Sequence, residues 1–273
     1  MVAIAPLPAR GVIEVAGEDR VSFLQGLVSN DVALAAPGQA VWAALLTPQG
    51  KWLADFFILS DGERLLLDVE AGSLGMIIPR LSRFRLRAKV TLRDVSGERA
   101  VFVAWGGAPE LPEGAIAAVD PRLAGAGWRI LAAAMATNAT PGDWDAHRLA
   151  LGLPDGSSDL EAEKSVLLEA GFDELNGISW SKGCYMGQEL TARTKYRGLV
   201  KRRLVSVAIE GVAPPAGTAV FRDGAEVGTM RSARDGRGLA SLRLEAIGVA
   251  ALACGGAMLR PVVPGWMRLP AAS

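Results

Sequence analysis

Apolar positions in the first hundred residues switch between a strand period and a helix period. Val12 to Val15 reads as a short strand, Gly17-Glu18-Asp19 as a helix start, and Val21, Leu24, Leu27 and Val28 follow at helical spacing. Ala40 to Leu46 and Trp52 to Leu59 are apolar runs joined by Thr47-Pro48-Gln49-Gly50, which predicts a hairpin. Leu65 to Val69 predicts a strand after the Asp61-Gly62 turn, residues 73–84 a helix, and Ala88 to Val95 a further strand. Past Arg99, Ala100 to Trp105 and Trp128 to Ala133 read as strands around a Gly- and Pro-rich stretch. Pro141-Gly142-Asp143 opens a helix carrying Trp144, Arg148 and Leu149, and Gly152 to Ser158 reads as a polar loop. From about Leu199 the runs shorten: Leu204 to Ile209, Thr218 to Phe221, Glu226 to Met230, Leu239 to Leu244 and Met258 to Val263. Arg222-Asp223-Gly224 and Arg234-Asp235-Gly236 make turns between them. Short, evenly spaced strands predict a small β-barrel. The pattern predicts an α+β protein in three parts: 1–97, 98–198 and 199–273.

Composition narrows the classes of function. The 273 residues are half hydrophobic, ample for burial, and their 29 basic and 29 acidic side chains cancel. Zero net charge argues against a bulk polyanion partner, so neither nucleic acid nor membrane is expected, although a local basic patch stays open. No apolar run reaches the roughly 18 residues of a membrane span. Met1 to Arg20 lacks a long apolar stretch and carries Glu14, Glu18 and Asp19, whereas organelle presequences are poor in acids. The expectation is a cytoplasmic monomer. Two cysteines, Cys184 and Cys254, and one histidine, His147, are too few for a disulfide framework. They also fall short of the roughly four ligands of a zinc or iron–sulfur site, so no permanently bound metal is expected.

The chemistry concentrates in Lys182-Gly183-Cys184-Tyr185-Met186-Gly187-Gln188-Glu189. Gly183 and Gly187 open backbone conformations closed to other residues. Gln188 to Lys195 predicts a helix, which sets Cys184 just ahead of a helix N-terminus and two residues from Lys182. Both features favour thiolate over thiol. A small buried apolar residue is the equal alternative for Cys184. Cys254, between Ala253 and Gly255, is assigned to barrel packing.

This octapeptide resembles the signature of the YgfZ family, and the likeness runs on through Leu190-Thr191-Ala192-Arg193-Thr194 to Gly198 and Lys201-Arg202-Arg203, where it is closest to the mitochondrial branch. Phe23-Leu24-Gln25-Gly26, Asn30-Asp31-Val32, the Pro48 to Lys51 turn and Arg85-Leu86-Arg87 are also similar to that family. The family in turn resembles the glycine-cleavage T-protein, an aminomethyltransferase. The resemblance implies a T-protein-like ring of two mixed α/β domains and a C-terminal β-barrel, with tetrahydrofolate or a derivative bound centrally. It implies a folate-binding factor for iron–sulfur cluster assembly, repair or insertion, with iron–sulfur client enzymes and cluster carriers as partners and no conventional turnover. Cys184 is its functional centre. Glu169 matches a pterin-binding glutamate, a carboxylate able to accept two parallel hydrogen bonds. The resemblance extends the folate contacts to Trp144, Lys182, Tyr185, Gln188 and Arg193. Read from the residues alone, Glu169 is an exposed acid and Trp144 a core residue. The basic run from Arg193 to Arg203 suits either a folate glutamate tail or a solvated strand edge. A folate-dependent aminomethyltransferase is the alternative. Against it, the T-protein carries Asp where this chain has Cys184, and its functional acid has no counterpart in Ala71 to Met76.

Overall fold

A computed structural model describes residues 1–269. In chain order its main elements are β1 (Ala3–Pro6), β2 (Arg10–Ala16), α1 (Arg20–Gln25), β3 (Gly38–Gln39), β4 (Val41–Leu46), β5 (Trp52–Ser60), β6 (Leu65–Glu70), α2 (Leu74–Arg85) and β7 (Thr91–Asp94). Then come β8 (Ala100–Trp105), β9 (Ile116–Val119), β10 (Trp128–Ala132), α3 (Pro141–Leu151), α4 (Gly156–Asp159) and α5 (Gln188–Tyr196). The last are β11 (Arg202–Glu210), β12 (Ala219–Arg222), β13 (Ala225–Arg234), β14 (Arg237–Arg243), α6 (Leu244–Ile247), β15 (Leu252–Cys254) and β16 (Ala257–Val262). The chain groups into two compact units. The first comprises Met1–Pro48, Leu53–Trp144 and Leu175–Gln188, and the second Gln49–Trp52, Asp145–Glu174 and the chain from Glu189 onward.

The first unit holds two five-stranded sheets, in the orders β1-β8-β10-β9-β3 and β4-β5-β6-β2-β7. Strands on both sides of residue 98 build the first of them, since β1 pairs with β8 and β3 with β9. The period of two along each strand separates two environments in the second sheet. One face contributes Ile13, Val15, Phe56, Ile58, Leu67 and Val69 to an apolar core closed by Leu24 of α1 and by Ile77 and Leu81 of α2. The other face carries Trp42, Asp55, Phe57 and Asp68, all buried. This explains why β4 and β5 read as unbroken apolar runs: both faces are covered.

Charged groups fill the space behind that second face. Arg10 on β2 clamps Asp68 through Nε and its backbone carbonyl through Nη2, the latter at 2.6 Å. Arg129 on β10 of the other sheet donates to Asp68 Oδ2 at 3.2 Å and lies 3.5 Å from Asp120 Oδ2. Arg122 closes on Asp120 at 3.0 and 2.8 Å. The Arg129 guanidinium sits 3.8 Å from the Phe57 ring centre and that of Arg122 4.9 Å, both within cation–π range. Burial by itself would raise the Asp120 carboxyl, but Arg122 and Arg129 hold it below its ordinary value. Burial pulls the Arg129 guanidinium down, and Asp68 and Asp120 oppose it.

In the second unit, β11-β14-β13-β12-β15-β16 close into a barrel around Val205, Val207, Val220, Met230, Ala240 and Leu259. Arg148 on α3 bonds Asp159 at 2.6 Å and Asp145 at 2.7 Å, and Arg234 of β13 reaches Asp145 at 2.7 Å. The polar loop expected at Gly152 to Ser158 contains the start of the short helix α4, whose Asp159 receives the Arg148 guanidinium and the Ser232 hydroxyl. The strand expected over Ala88 to Val95 shortens to β7. Its first residues are spent leaving α2, where Leu86 adopts φ 39°.

Asp120→Asn tests the buried network. It leaves Arg122 and Arg129 facing one fewer negative charge, and breaking a buried pair costs about 3–5 kcal/mol, expected as a matching loss of stability in urea denaturation. Because Asp120 titrates below its ordinary 3.8 in the folded chain, its contribution is complete above that pH and is lost only on further acidification.

Candidate functional site

The cysteine loop is built on the turn that follows α1. Lys182 Nζ donates to the carbonyls of Gln25 and Val28, both at 2.6 Å, and lies 5.1 Å from the centre of the Tyr185 ring. The Met186 amide donates to the Gly26 carbonyl at 3.1 Å. Further back, Ser29 Oγ donates to the Gly177 carbonyl at 2.6 Å, the Ser179 amide donates to the Ser29 carbonyl at 3.0 Å, and Asn30 Nδ2 donates to the Asn176 carbonyl at 2.7 Å. Two stretches about 150 residues apart, each resembling the same family, thus form one structure. The carbonyls left open at a helix end need donors, and a lysine supplies charge-assisted ones. Burial lowers the Lys182 ammonium to about 8, with Asp31 acting in the opposite sense.

Gly183 has φ +97° and Gly187 φ +82°, as the two flanking glycines predicted. An added Cβ at Gly183 would meet nothing within 4 Å, so the requirement is conformational and not one of space. Between these hinges Cys184 is a free, exposed thiol and Tyr185 is buried. The Gln188 side chain turns back to accept from the Tyr185 amide at 3.2 Å, and α5 begins at Gln188 as expected. The loop therefore holds an exposed thiol over a fixed base. Cys254 is its opposite: fully buried in β15, 3.9 Å from the Thr218 carbonyl, with its thiol pushed up by burial.

Trp144 is 3 % exposed, its ring 5.8 Å from that of Trp105 and 5.3 Å from the Arg129 guanidinium. In the second unit, Glu169 is half-buried beside Ser165, Arg231 and Ser241, and its carboxylate takes no ion pair among the described residues. Arg193 is exposed and pairs with Glu189 one turn earlier in α5. The basic run that follows is divided: Lys195 binds Asp173 at 3.1 Å and buried Arg203 binds Glu174 at 2.6 Å. Sequence reasoning missed Gln25 and Val28 as the seat of the loop, because they act through backbone carbonyls. Among the described residues, no group of three or more His, Cys, Asp and Glu side chains is placed to hold a metal ion.

The lowered Lys182 ammonium has a direct readout. In competitive acetylation followed by mass spectrometry, Lys182 should gain reactivity with a midpoint near 8, well below the ordinary lysine value of about 10.4.

A model of the CAF17 C-terminal beta-barrel domain matches residues 201–269. The chain is 38% identical over 239 residues to a protein of Mycosarcoma maydis named iron-sulfur cluster assembly factor IBA57 homolog, mitochondrial; the match takes in 78% of this chain and 59% of that one. It is 33% identical to the human and 32% identical to the mouse mitochondrial iron-sulfur cluster assembly factor IBA57, across 88% of this chain and 77% of each relative. Among solved structures, the glycine cleavage system aminomethyltransferase T of Bartonella henselae superposes with a TM-score of 0.77 at 15% identity, over 96% of this chain and 85% of that one. The fold is accordingly T-protein-like, with a closed six-stranded barrel. The cytoplasmic expectation is corrected: the matching relatives are named mitochondrial. Of the acids on which it rested, Glu14 belongs to the fold itself, lying in β2 and accepting from Arg64 at 2.8 Å. The earlier family resemblance is upheld, and the chain belongs to the IBA57 family, the mitochondrial branch of the YgfZ proteins.

Proposed function

We propose that this chain supports iron–sulfur cluster assembly, with Cys184 as the thiol that meets the cluster in transit and a reduced folate as its bound cofactor. The observation that carries the reading is the exposed, free Cys184, held between two positive-φ glycines on a loop strutted by Lys182. A thiolate is the usual ligand of cluster iron, and a cluster takes about four. One cysteine supplies one, so the remaining ligands come from a carrier or client protein that brings or receives the cluster. Two glycine hinges let the thiol adjust as that exchange of ligands proceeds. Its partners are therefore iron–sulfur carriers and clients.

The folate part rests on Glu169 and on the aminomethyltransferase-like fold. A half-buried carboxylate with no ion pair is free to accept the paired N–H donors of a pterin ring. Bound there, a reduced folate supplies a carrier for a one-carbon unit. The chain's own contribution is the acceptor that orients it.

Complementation of a deletion strain tests the central claim. Wild type should restore the activity of iron–sulfur enzymes, and Cys184→Ala should leave it at the level of the empty vector. Full rescue by Cys184→Ala would make the cysteine structural. Titration calorimetry with tetrahydrofolate tests the cofactor separately: saturable binding is expected, weakened by Glu169→Ala. Losing a charged hydrogen-bond partner costs about 1.5–3 kcal/mol, or roughly ten- to a hundred-fold in affinity. Absence of binding at millimolar folate would remove the cofactor and leave the thiol claim standing.

A further inference from the structure

Helix α2 buries Ile77 and Leu81 against the second sheet and turns its other side outward. The outward side and the turn beyond it carry Arg80, Arg83, Phe84, Arg85, Leu86 and Arg87. Between Ala71 and Val90 the sequence has no acidic residue, although the whole chain is neutral. None of these four arginines has an ion-pair partner among the described residues, and the Nε of Arg80 is buried without a hydrogen bond. Phe84 is 39% exposed and Leu86 90%. Leu86 sits at the C-cap with φ 39°, a conformation that favours glycine, so an apolar side chain is held out into solvent at a strained backbone position. Elsewhere in the chain most arginines are paired; here unpaired forks alternate with apolar knobs.

We propose that this face docks an acidic segment of a partner protein, its carboxylates gripped by the guanidinium forks and an apolar side chain set against Phe84 and Leu86. Two features favour a protein over the other anionic surfaces. The cations at its centre are arginines, which bind carboxylates bidentately and are enriched at protein interfaces, whereas lysine is depleted there. An anionic membrane attracts lysine and arginine about equally and gives no reason for that choice. Nucleic acid binding grows with a protein's overall positive field, and this chain's net charge is zero. The docking face is independent of the Cys184 reading.

The test uses the full chain and a fluorescein-labelled peptide in which glutamates flank a leucine and a phenylalanine. Fluorescence anisotropy should show saturable, salt-sensitive binding, absent for the same peptide with glutamine at every glutamate. The R83E/R85E/R87E variant should bind roughly ten- to thirty-fold more weakly, up to the effect of a single interface hot spot. Its thermal unfolding reports whether it folds. R83K/R85K/R87K keeps the charge and removes the forks, so it should also bind several-fold more weakly. Unchanged affinity in the lysine variant would reduce the face to bulk charge and overturn the proposal. So would failure to bind the acidic peptide, or tighter binding to phosphatidylcholine vesicles doped with phosphatidylserine.

Discussion

Two carboxylates, Asp68 and Asp120, bind three guanidiniums in the interior of the first unit, and the arrangement of both its sheets depends on that match. An apolar interface would tolerate sliding of one sheet over the other. A bridging ion pair resists it, because carrying Arg129 away from Asp68 and Asp120 would leave buried charge unopposed. Phe57 serves the same end from the centre of its sheet, since its ring face offers the surplus positive charge a second, non-ionic partner. Register is thereby fixed by electrostatics where packing alone would leave it approximate.

The cysteine loop inherits this rigidity through α1. That helix packs Leu24 into the core of the second sheet, and the turn after it carries the carbonyls that seat Lys182. Rigid base and hinged tip are separate parts with separate chemistry. Lysine, tyrosine and backbone amides hold the base, while the two glycines supply the positive-φ backbone on either side of the exposed thiol. A role for Lys182 as the thiolate's immediate counter-charge was the simpler reading of the motif. Its ammonium instead points into two carbonyls, so its contribution to the thiol acts through position.

Much of this was legible in the sequence where one physical cause dominated. The barrel followed from short strands and Asp-Gly turns, α2 from its helical period, and the glycine hinges from their flanking positions. β9 was hidden because the four residues Ile116-Ala117-Ala118-Val119 lie between Gly114 and Pro121 with two alanines at their centre, and β15 because three residues make no period. Arg129 was hidden for a different reason: an arginine between Trp128 and Ile130 on a strand reads as a solvated position, and only the fold supplies the two carboxylates that let it be buried. The joining of the Gln25 and Lys182 stretches was equally invisible, since every residue type offers the same backbone carbonyl.

The contrast between the two cysteines sets the redox behaviour of the chain. Cys184 is open to oxidants and Cys254 is sealed in the barrel. A sulfenic acid formed at Cys184 therefore meets no second accessible thiol in the folded chain. It persists, or it is resolved by a thiol from another molecule as a mixed disulfide. Oxidative damage and its repair at this site are both intermolecular events, governed by the concentration of small thiols and of neighbouring proteins around the chain.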